Sequence, residues 1–441
     1  MDNEVLVDAD LDAAPIPPRP TGRQVAAVLV GNALSFYDFL TYAFFAAQIG
    51  RTFFPSQSAA GSLLASLAAF GAGFLMRPVG AWVIGRMGDR LGRKPAMILS
   101  FALMGVAVAG LSLTPSYATI GIAAPVLAVA FRMLQGFALG GEVGPSSAFL
   151  MEIAPPNRRG LYTSLQFMTQ NLSVVMAGIV GLILSTQLSA LQMDHWGWRV
   201  ALGLGVLIVP FGMMMRATLV ETLHDHEPEA EATSAAGLRP YLKVAILALL
   251  VLAGGTVVSY ALTYINTYAQ TTLGMAISSG FGATIVLGVT GMLTDPVGGV
   301  LSDRYGRKPL MLIPTALLAL MVLPSFWLLS HYRTDGVLYG VTGVMSVVAE
   351  LGQAAVLVAI TEMLPRRIRS GALAVIYAVA ISVFGGSTQF VVAWLLDLTG
   401  NPLVPGWYMV AASSVAVVAI LMMKETAPVR LKARAPALAP A

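Results

Sequence analysis

Gly85-Arg86-Met87-Gly88-Asp89-Arg90-Leu91-Gly92-Arg93-Lys94-Pro95 decides the fold, because the chain carries this stretch twice. The second copy is Gly299-Val300-Leu301-Ser302-Asp303-Arg304-Tyr305-Gly306-Arg307-Lys308-Pro309. Both read Gly, any three residues, then Asp-Arg-x-Gly-Arg-Lys-Pro. Each follows the second apolar segment of its half, and each has a Pro-Val-Gly triplet upstream (Pro78 to Gly80, Pro296 to Gly298). Chance can give one such loop; two at matching places imply duplication. Parallel repeats of this kind build two bundles that rock about a site near the bilayer midplane.

The surrounding sequence is that of a membrane protein. Of its 441 residues 57% are hydrophobic and only 11% charged, with a mean hydropathy of +0.77. A soluble domain carries about 25% charged residues, so this chain cannot cover its own surface with polar groups. Apolar runs long enough to cross a ~30 Å hydrocarbon core recur along it. Twelve spans are expected, near 24–50, 60–85, 96–114, 121–153, 161–187, 198–218, 241–271, 279–301, 309–329, 337–363, 371–397 and 406–424. Period-two alternation is not sustained anywhere, which argues against a β-barrel. The predicted class is an all-α membrane protein of twelve transmembrane helices in two six-helix bundles, 23–219 and 241–424. A polar linker at 220–240 joins them, and tails at 1–22 and 425–441 flank them.

Lys and Arg set the orientation. With a cytoplasmic N-terminus, 21 of the 26 basic residues fall on the cytoplasmic side and only Arg51, Arg199 and Arg333 fall outside. Arg77 and Arg132 lie within spans. This positive-inside bias puts both termini in the cytoplasm. The formal charge of +4 therefore concerns membrane orientation, and no nucleic-acid partner is expected. The acidic, Pro-rich start (Met1 to Pro20) does not read as a signal peptide. The chain has no Cys and four His, near helix ends or in loops. No metal, disulfide or cofactor is expected, and no phosphate-binding loop suggests drive by ATP. Nothing in the sequence marks an enzyme.

The repeated loop has a physical use beyond topology. Its Gly permits close helix approach, and its Asp can cap a helix N-terminus or pair with Arg. A plain positive-inside turn accounts for the Arg and Lys but not for Asp and Gly at fixed spacing in both copies. Gly85, Asp89, Arg90, Arg93, Gly299, Asp303, Arg304 and Arg307 are thus the gate candidates. Glu152, at the inner end of the fourth span, joins them.

A charge at the bilayer centre costs about 2.5–3.5 kcal/mol on insertion scales, so each one needs a reason. The cases are Asp38, Arg77, Arg132, Glu142, Asp295 and Glu350. Asp38 and Arg132 should lie at similar depth, where a carboxyl beside an Arg can switch between paired and protonated forms. Asp38, Arg132, Glu142 and Asp295 are the proton-coupling candidates. Asp295 could also cap the helix broken by Pro296, and Glu350 reads as a proton or cation site. Polar stripes mark four spans: Asn32, Ser35 and Tyr42; Arg132, Gln135 and Glu142; Gln166, Gln170 and Ser173; Tyr260, Tyr264 and Thr267. Together they suggest a shared aqueous cavity. Arg77 and Arg132 are its expected anion partners, since Arg holds carboxylate bidentately. Arg77 has a second reading, as a brace for the gate through Asp89 or Glu152. The substrate-binding candidates are Asn32, Tyr37, Arg77, Arg132, Gln135, Gln166, Gln170, Tyr260, Tyr264, Asn266, Gln353 and Tyr377.

The two loops resemble the signature loop of the major facilitator superfamily. Phe74 to Gly80, Arg132 to Gly136, Glu152 to Pro155 and Phe384 to Gly386 together resemble its metabolite:proton symporters, which include citrate, oxoglutarate, shikimate and proline/betaine carriers. Asn32 to Phe39, Arg132 to Glu142 and Pro402 to Tyr408 are similar to citrate and tricarballylate carriers. Two positions depart from that pattern. Gln389 stands where relatives often have Pro, and Asp295 stands where an apolar residue or Trp is expected. The resemblance implies a monomeric carrier in a bacterial inner membrane, taking up a di- or tricarboxylate such as citrate with protons. It also implies a coupling role for Asp38 and Arg132, as in the related sugar porters. An aromatic or hydroxylated monocarboxylate, a zwitterion such as betaine, a sensor on the same fold and a drug exporter are the alternatives.

Overall fold

The computed structural model describes residues 22–91, 93–140, 154–155, 158–217, 241–364 and 369–427. Each predicted span meets a helix. In the N-terminal half these are α1 (Gly22–Phe44), α2 (Ala59–Met87), α3 (Arg93–Leu113), α4 (Ala123–Gly140), α5 (Arg159–Gln187) and α6 (Trp198–Ala217). The C-terminal half contributes α7 (Leu242–Thr263), α8 (Ile277–Tyr305), α9 (Arg307–His331), α10 (Asp335–Met363), α11 (Val375–Thr399) and α12 (Val404–Met422). Among the described residues, nine of these are long and apolar enough to cross a membrane. The others are α1, α3 and α6. The linker at 220–240 and the inner end of the expected fourth span, 141–153, lie outside the described residues.

Large apolar side chains point away from the bundles, among them Leu75, Trp82, Leu293, Leu320 and Trp394. That suits lipid, which needs no polar cover. Within each helix the backbone satisfies itself, so a helix with apolar residues all round is stable there.

The regular helices break near the middle of the molecule. α2 is interrupted at Met76, just before Arg77-Pro78, where Pro78 has no N–H to give. α10 is interrupted at Ala354 and Ala355, one residue past Gln353. α11 contains a π-helical turn, Ile381–Gly385. Such irregular turns free backbone groups and are frequent at functional sites. Two outer breaks had no clear signal in the sequence: α1 resumes after Phe45 as Ala46–Phe53, and α7 resumes after Tyr264 as Ile265–Thr271.

Three seams join the halves. α5 and α8 touch from Gly160 against Gly299 at the loop end to Gly181 against Phe281 at the other. α2 meets α11 at Gly71 and Gly386, where a Cβ on Gly71 would lie 2.6 Å from the Gly386 carbonyl oxygen. α1 meets α7 at the end opposite the loops. There Gln48 Nε2 donates to Gln270 Oε1 (3.2 Å), Asn266 Nδ2 donates to the Phe44 carbonyl (3.4 Å), and Phe45 packs on Phe281.

Glycine decides one close approach inside the N-terminal bundle. α4 lies so near α2 that a Cβ on Gly136 would overlap the Gly73 carbonyl. Small residues allow this contact, which packs lipid-embedded helices without a hydrophobic driving force. Gly136→Val is expected to destabilise the protein by about 1–3 kcal/mol or more through overpacking. Thermal unfolding in detergent checks this; an unchanged midpoint refutes the close contact.

Candidate functional site

An internal cavity of about 110 Å³ lies between the bundles. It is lined from α1, α2 and α5 on one side and from α7, α8, α10 and α11 on the other. Of the residues singled out in the sequence, Arg77, Gln170, Tyr260, Gln353 and Tyr377 reach it, and so does Glu350. The breaks in α2, α10 and α11 present three of these: Arg77 sits at the first, Gln353 just before the second, and Tyr377 a turn before the third.

Arg77 is buried and its surroundings are aromatic. Its guanidinium carbon lies 4.3 Å from the ring centre of Phe39 and 4.1 Å from that of Phe74. Tyr260 and Tyr377 stand close to it. Nε and Nη2 have no hydrogen-bond partner among the described residues. Arg132 uses the other side of the same cluster, 4.7 Å from Phe39, 4.4 Å from Tyr42 and 4.9 Å from Phe70. Its Nη1 donates to Gln135 Oε1, while Nε and Nη2 lack partners. Phe39 is thus shared between two cations. Ring faces offer a desolvated cation about 2 kcal/mol or more. They do not satisfy N–H donors, so the guanidinium groups keep hydrogen bonds to give.

Asp38 and Arg132 are not paired in this structure. The Asp38 carboxyl turns to α6, where a Cβ on Gly205 would overlap it, and its Oδ1 has no donor. Tyr37 goes the same way, donating to the Ala201 carbonyl at 2.9 Å. The expected similarity of depth does not bring the two side chains together, because Asp38 turns to α6 and Arg132 to the aromatic cluster.

Several stripe residues serve packing instead of the cavity. Asn32 ties α1 to α5 by donating to Thr169 Oγ1 (2.8 Å) and the Gln166 carbonyl (3.2 Å). Asn266 belongs to the α1–α7 seam. Gln166 and Tyr264 are buried but do not line the cavity, and Arg132 and Gln135 lie behind the aromatic cluster. Glu142 and Glu152 lie outside the described residues. The cavity also takes residues no stripe pointed to, including Phe36, Asn171, Thr256 and Ser259.

Of the two loop copies, the second lies wholly within the described residues. In the second, Asp303 crosses the seam and accepts from the backbone N–H of Gly160 (3.0 Å) and Leu161 (3.1 Å), capping α5. Its carboxylate also takes Arg307 Nη1 at 2.7 Å. Arg307 reaches Glu362 at 3.2 Å, and Glu425 caps the start of α9 through Arg307 N–H (2.9 Å) and Lys308 N–H (3.2 Å). Thr426 Oγ1 closes the network on Glu362 at 2.8 Å. Glu362 and Glu425 carry no sequence signal beyond their charge, and residues 425–427 pack here instead of beginning a free tail. Gly299 is tight, with a Cβ meeting the Gly160 oxygen at 2.7 Å, whereas a Cβ on Gly85 would meet open space. Among the described residues, the close approach expected of both glycines is found at Gly299. Arg304 is exposed and lies over Tyr305. Asp89 and Arg90 lie on the helix Arg77–Leu91, which carries α2 past Met87, and Arg93 begins α3.

Asp303→Ala is expected to loosen the loop end of the α5–α8 seam. The Cys-free chain allows a direct check with Ser164→Cys, next to Gly299. Maleimide labelling of that cysteine should rise several-fold in the Asp303→Ala background, and equal labelling rates would exclude the cap as a latch.

Two bundles of membrane-length helices around a central cavity have the architecture of a membrane transporter. Residues 28–295 match the Major Facilitator Superfamily model, and residues 217–436 match the model for sugar (and other) transporters. The chain belongs to the major facilitator superfamily; it is a transporter and not an enzyme. It is 33% identical to a citrate-proton symporter of Salmonella typhi, over 90% of this chain and 93% of that one. It is 32% identical to an alpha-ketoglutarate permease of Escherichia coli (strain K12), over 91% and 94%, and 31% identical to a proline/betaine transporter of that strain, over 94% and 86%. Among solved structures it is similar to a D-xylose-proton symporter, with a TM-score of 0.73 over 92% of this chain and 98% of that chain at 17% identity.

Proposed function

We propose that this chain imports an organic carboxylate, a di- or tricarboxylate such as citrate, together with protons. The carrying observation is Arg77: a buried guanidinium on the cavity wall with hydrogen-bond donors to spare. A carboxylate supplies the missing acceptors and the missing charge, and both gains are large where water is excluded. Gln170, Gln353, Tyr260 and Tyr377 can hold a second carboxylate or a hydroxyl. The citrate-proton symporter and ketoglutarate permease among the relatives support the same substrate class.

Asp38 takes the proton in this reading. Its Oδ1 has no donor and it forms no ion pair among the described residues, so the carboxyl fits its pocket best when protonated. Breaking contact with Arg132 leaves Arg132 free to draw on the aromatic cluster shared with Arg77, which connects proton and substrate. The latch at Asp303 and Arg307 holds one end shut while the α1–α7 seam holds the other. By the positive-inside bias the latch faces the cytoplasm of a bacterial inner membrane.

Glu350 favours a second reading. A cavity with a guanidinium and a carboxyl on its wall also suits a zwitterion, and a proline/betaine transporter is among the relatives. Uptake of radiolabelled citrate into proteoliposomes under an imposed proton gradient tests the proposal. Citrate uptake, blocked by tricarballylate and not by betaine, is the expected result. Betaine uptake without citrate uptake would move the chain to the second reading.

A further inference from the structure

One carboxyl pair is left over by the mechanism above. Asp295 on α8 is fully buried, and Glu350 on α10 stands within hydrogen-bond reach of it. Asn171 on α5 donates Nδ2 to Asp295 Oδ2 at 2.9 Å. Asp295 Oδ1 receives no donor from the described residues. All three side chains lie well inside their helices, and only Asn171 and Glu350 open on the cavity. No cation compensates the pair: neither carboxyl forms an ion pair with Lys, Arg or His among the described residues, including Arg77 on the same cavity. From α5 the pair meets a neutral amide.

Two ionised carboxylates in contact repel strongly where the dielectric constant is low, and a hydrogen bond between them needs a proton to make it. One proton meets both demands and gives Oδ1 its donor. The pair then titrates as a unit, and its proton belongs to neither residue alone. Glu350 faces the cavity and Asp295 does not, so the proton enters and leaves through Glu350. Asn171 belongs to the other bundle, so the pair is also a rivet in the α5–α8 seam. Full ionisation would demand water beside Asp295, which is fully buried and held by Asn171 of α5.

We propose that Asp295 and Glu350 form a binding site for one shared proton, separate from Asp38, and that Asn171 makes its occupancy a condition for closing the α5–α8 seam. This deepens the proton-coupled reading, adding a proton carried by the C-terminal bundle.

Infrared spectroscopy of the purified full-length protein in liposomes at neutral pH, without added solute, tests this independently of any substrate. The protonated-carboxyl C=O band, identified by its shift in deuterated water, should contain a component lost in both Asp295→Asn and Glu350→Gln. That component should persist in Asp38→Asn. If either isosteric variant does not fold, Asn171→Leu keeps both carboxyls and should move the same component to another frequency. A band unchanged in every folded one of these variants, or changed by Asp38→Asn alone, overturns the proposal. With radiolabelled citrate, the proton-to-citrate ratio should fall by one in Glu350→Gln, and an unchanged ratio would refute the shared proton as a transported one. Absence of citrate uptake in the unaltered protein would refute the citrate reading only, leaving the infrared outcome to decide the pair.

Discussion

Arg77→Ala should abolish carboxylate uptake while leaving the empty protein at least as stable as before. A bidentate guanidinium–carboxylate contact supplies two charge-assisted hydrogen bonds at about 1.5–3 kcal/mol each, so its loss weakens affinity roughly a hundredfold or more. The same change removes an unpaired cation from the protein interior, which costs stability wherever it is not compensated. The rings of Phe39 and Phe74 offset only part of that cost. The melting temperature without solute is therefore expected to hold or rise, a trade of stability for function that binding sites often show. Arg77→Lys should fall between the two. It keeps the charge but loses the planar fork and its stacking. Initial uptake rates of labelled citrate and thermal unfolding of the same preparations measure both effects. Normal citrate affinity in Arg77→Ala would refute the role of Arg77. A large drop in stability would instead identify it as a structural brace for the break in α2.

Asp38→Asn should uncouple the carrier. The replacement is isosteric, which matters because Gly205 leaves the side chain no room to grow. An amide cannot exchange the proton, so accumulation driven by an imposed pH gradient should vanish and citrate should only equilibrate across the membrane. Exchange of labelled for unlabelled citrate needs no net proton movement and should persist. Proteoliposomes assayed in both modes make the comparison. Full accumulation by Asp38→Asn would place the coupling proton elsewhere, with the Asp295–Glu350 pair as the remaining site. Loss of both modes would mean that Asp38 serves the packing of α1 on α6 and not coupling.

These two changes act at different places: Arg77 stands in the aromatic cluster, and Asp38 turns to α6. Arg77 lines the cavity, Arg132 lies behind it, and Phe39 touches both. The observed state separates Asp38 from Arg132, and the α5–α8 seam is closed from end to end. A conformational step that opens the loop end must release Asp303 from the start of α5, and that break leaves two backbone N–H groups without an acceptor. Water entering the opened end supplies the replacement. In the proposed cycle the latch is therefore strong only while dry, which suits a gate that alternates.

Much was legible in the chain before any coordinates. The twelve spans came from apolar runs, and their helices begin and end within a few residues of those limits where described. The duplication was legible because both loops kept Asp and Gly at the same spacing. The buried charges were legible because so few charges interrupt the spans. These properties are local: a helix in lipid satisfies its own backbone, so composition over about twenty residues decides that it spans.

What each polar residue does was decided by neighbours. Asn32 and Gln170 both sit on polar stripes, yet one bonds α1 to α5 and the other faces the cavity. Asp38 and Arg132 were expected at similar depth but point to α6 and to an aromatic cluster. Gly85 and Gly299 occupy matching places in the repeat, but among the described residues only Gly299 meets another helix. Asp295, Glu350 and Asn171 come from three helices across both halves, as do the partners of Asp303. Helical periodicity names the face a residue occupies, and in a bundle every inward face has some neighbour. Which neighbour it is depends on the crossing of helices distant in sequence, and that information exists only once the two bundles have packed.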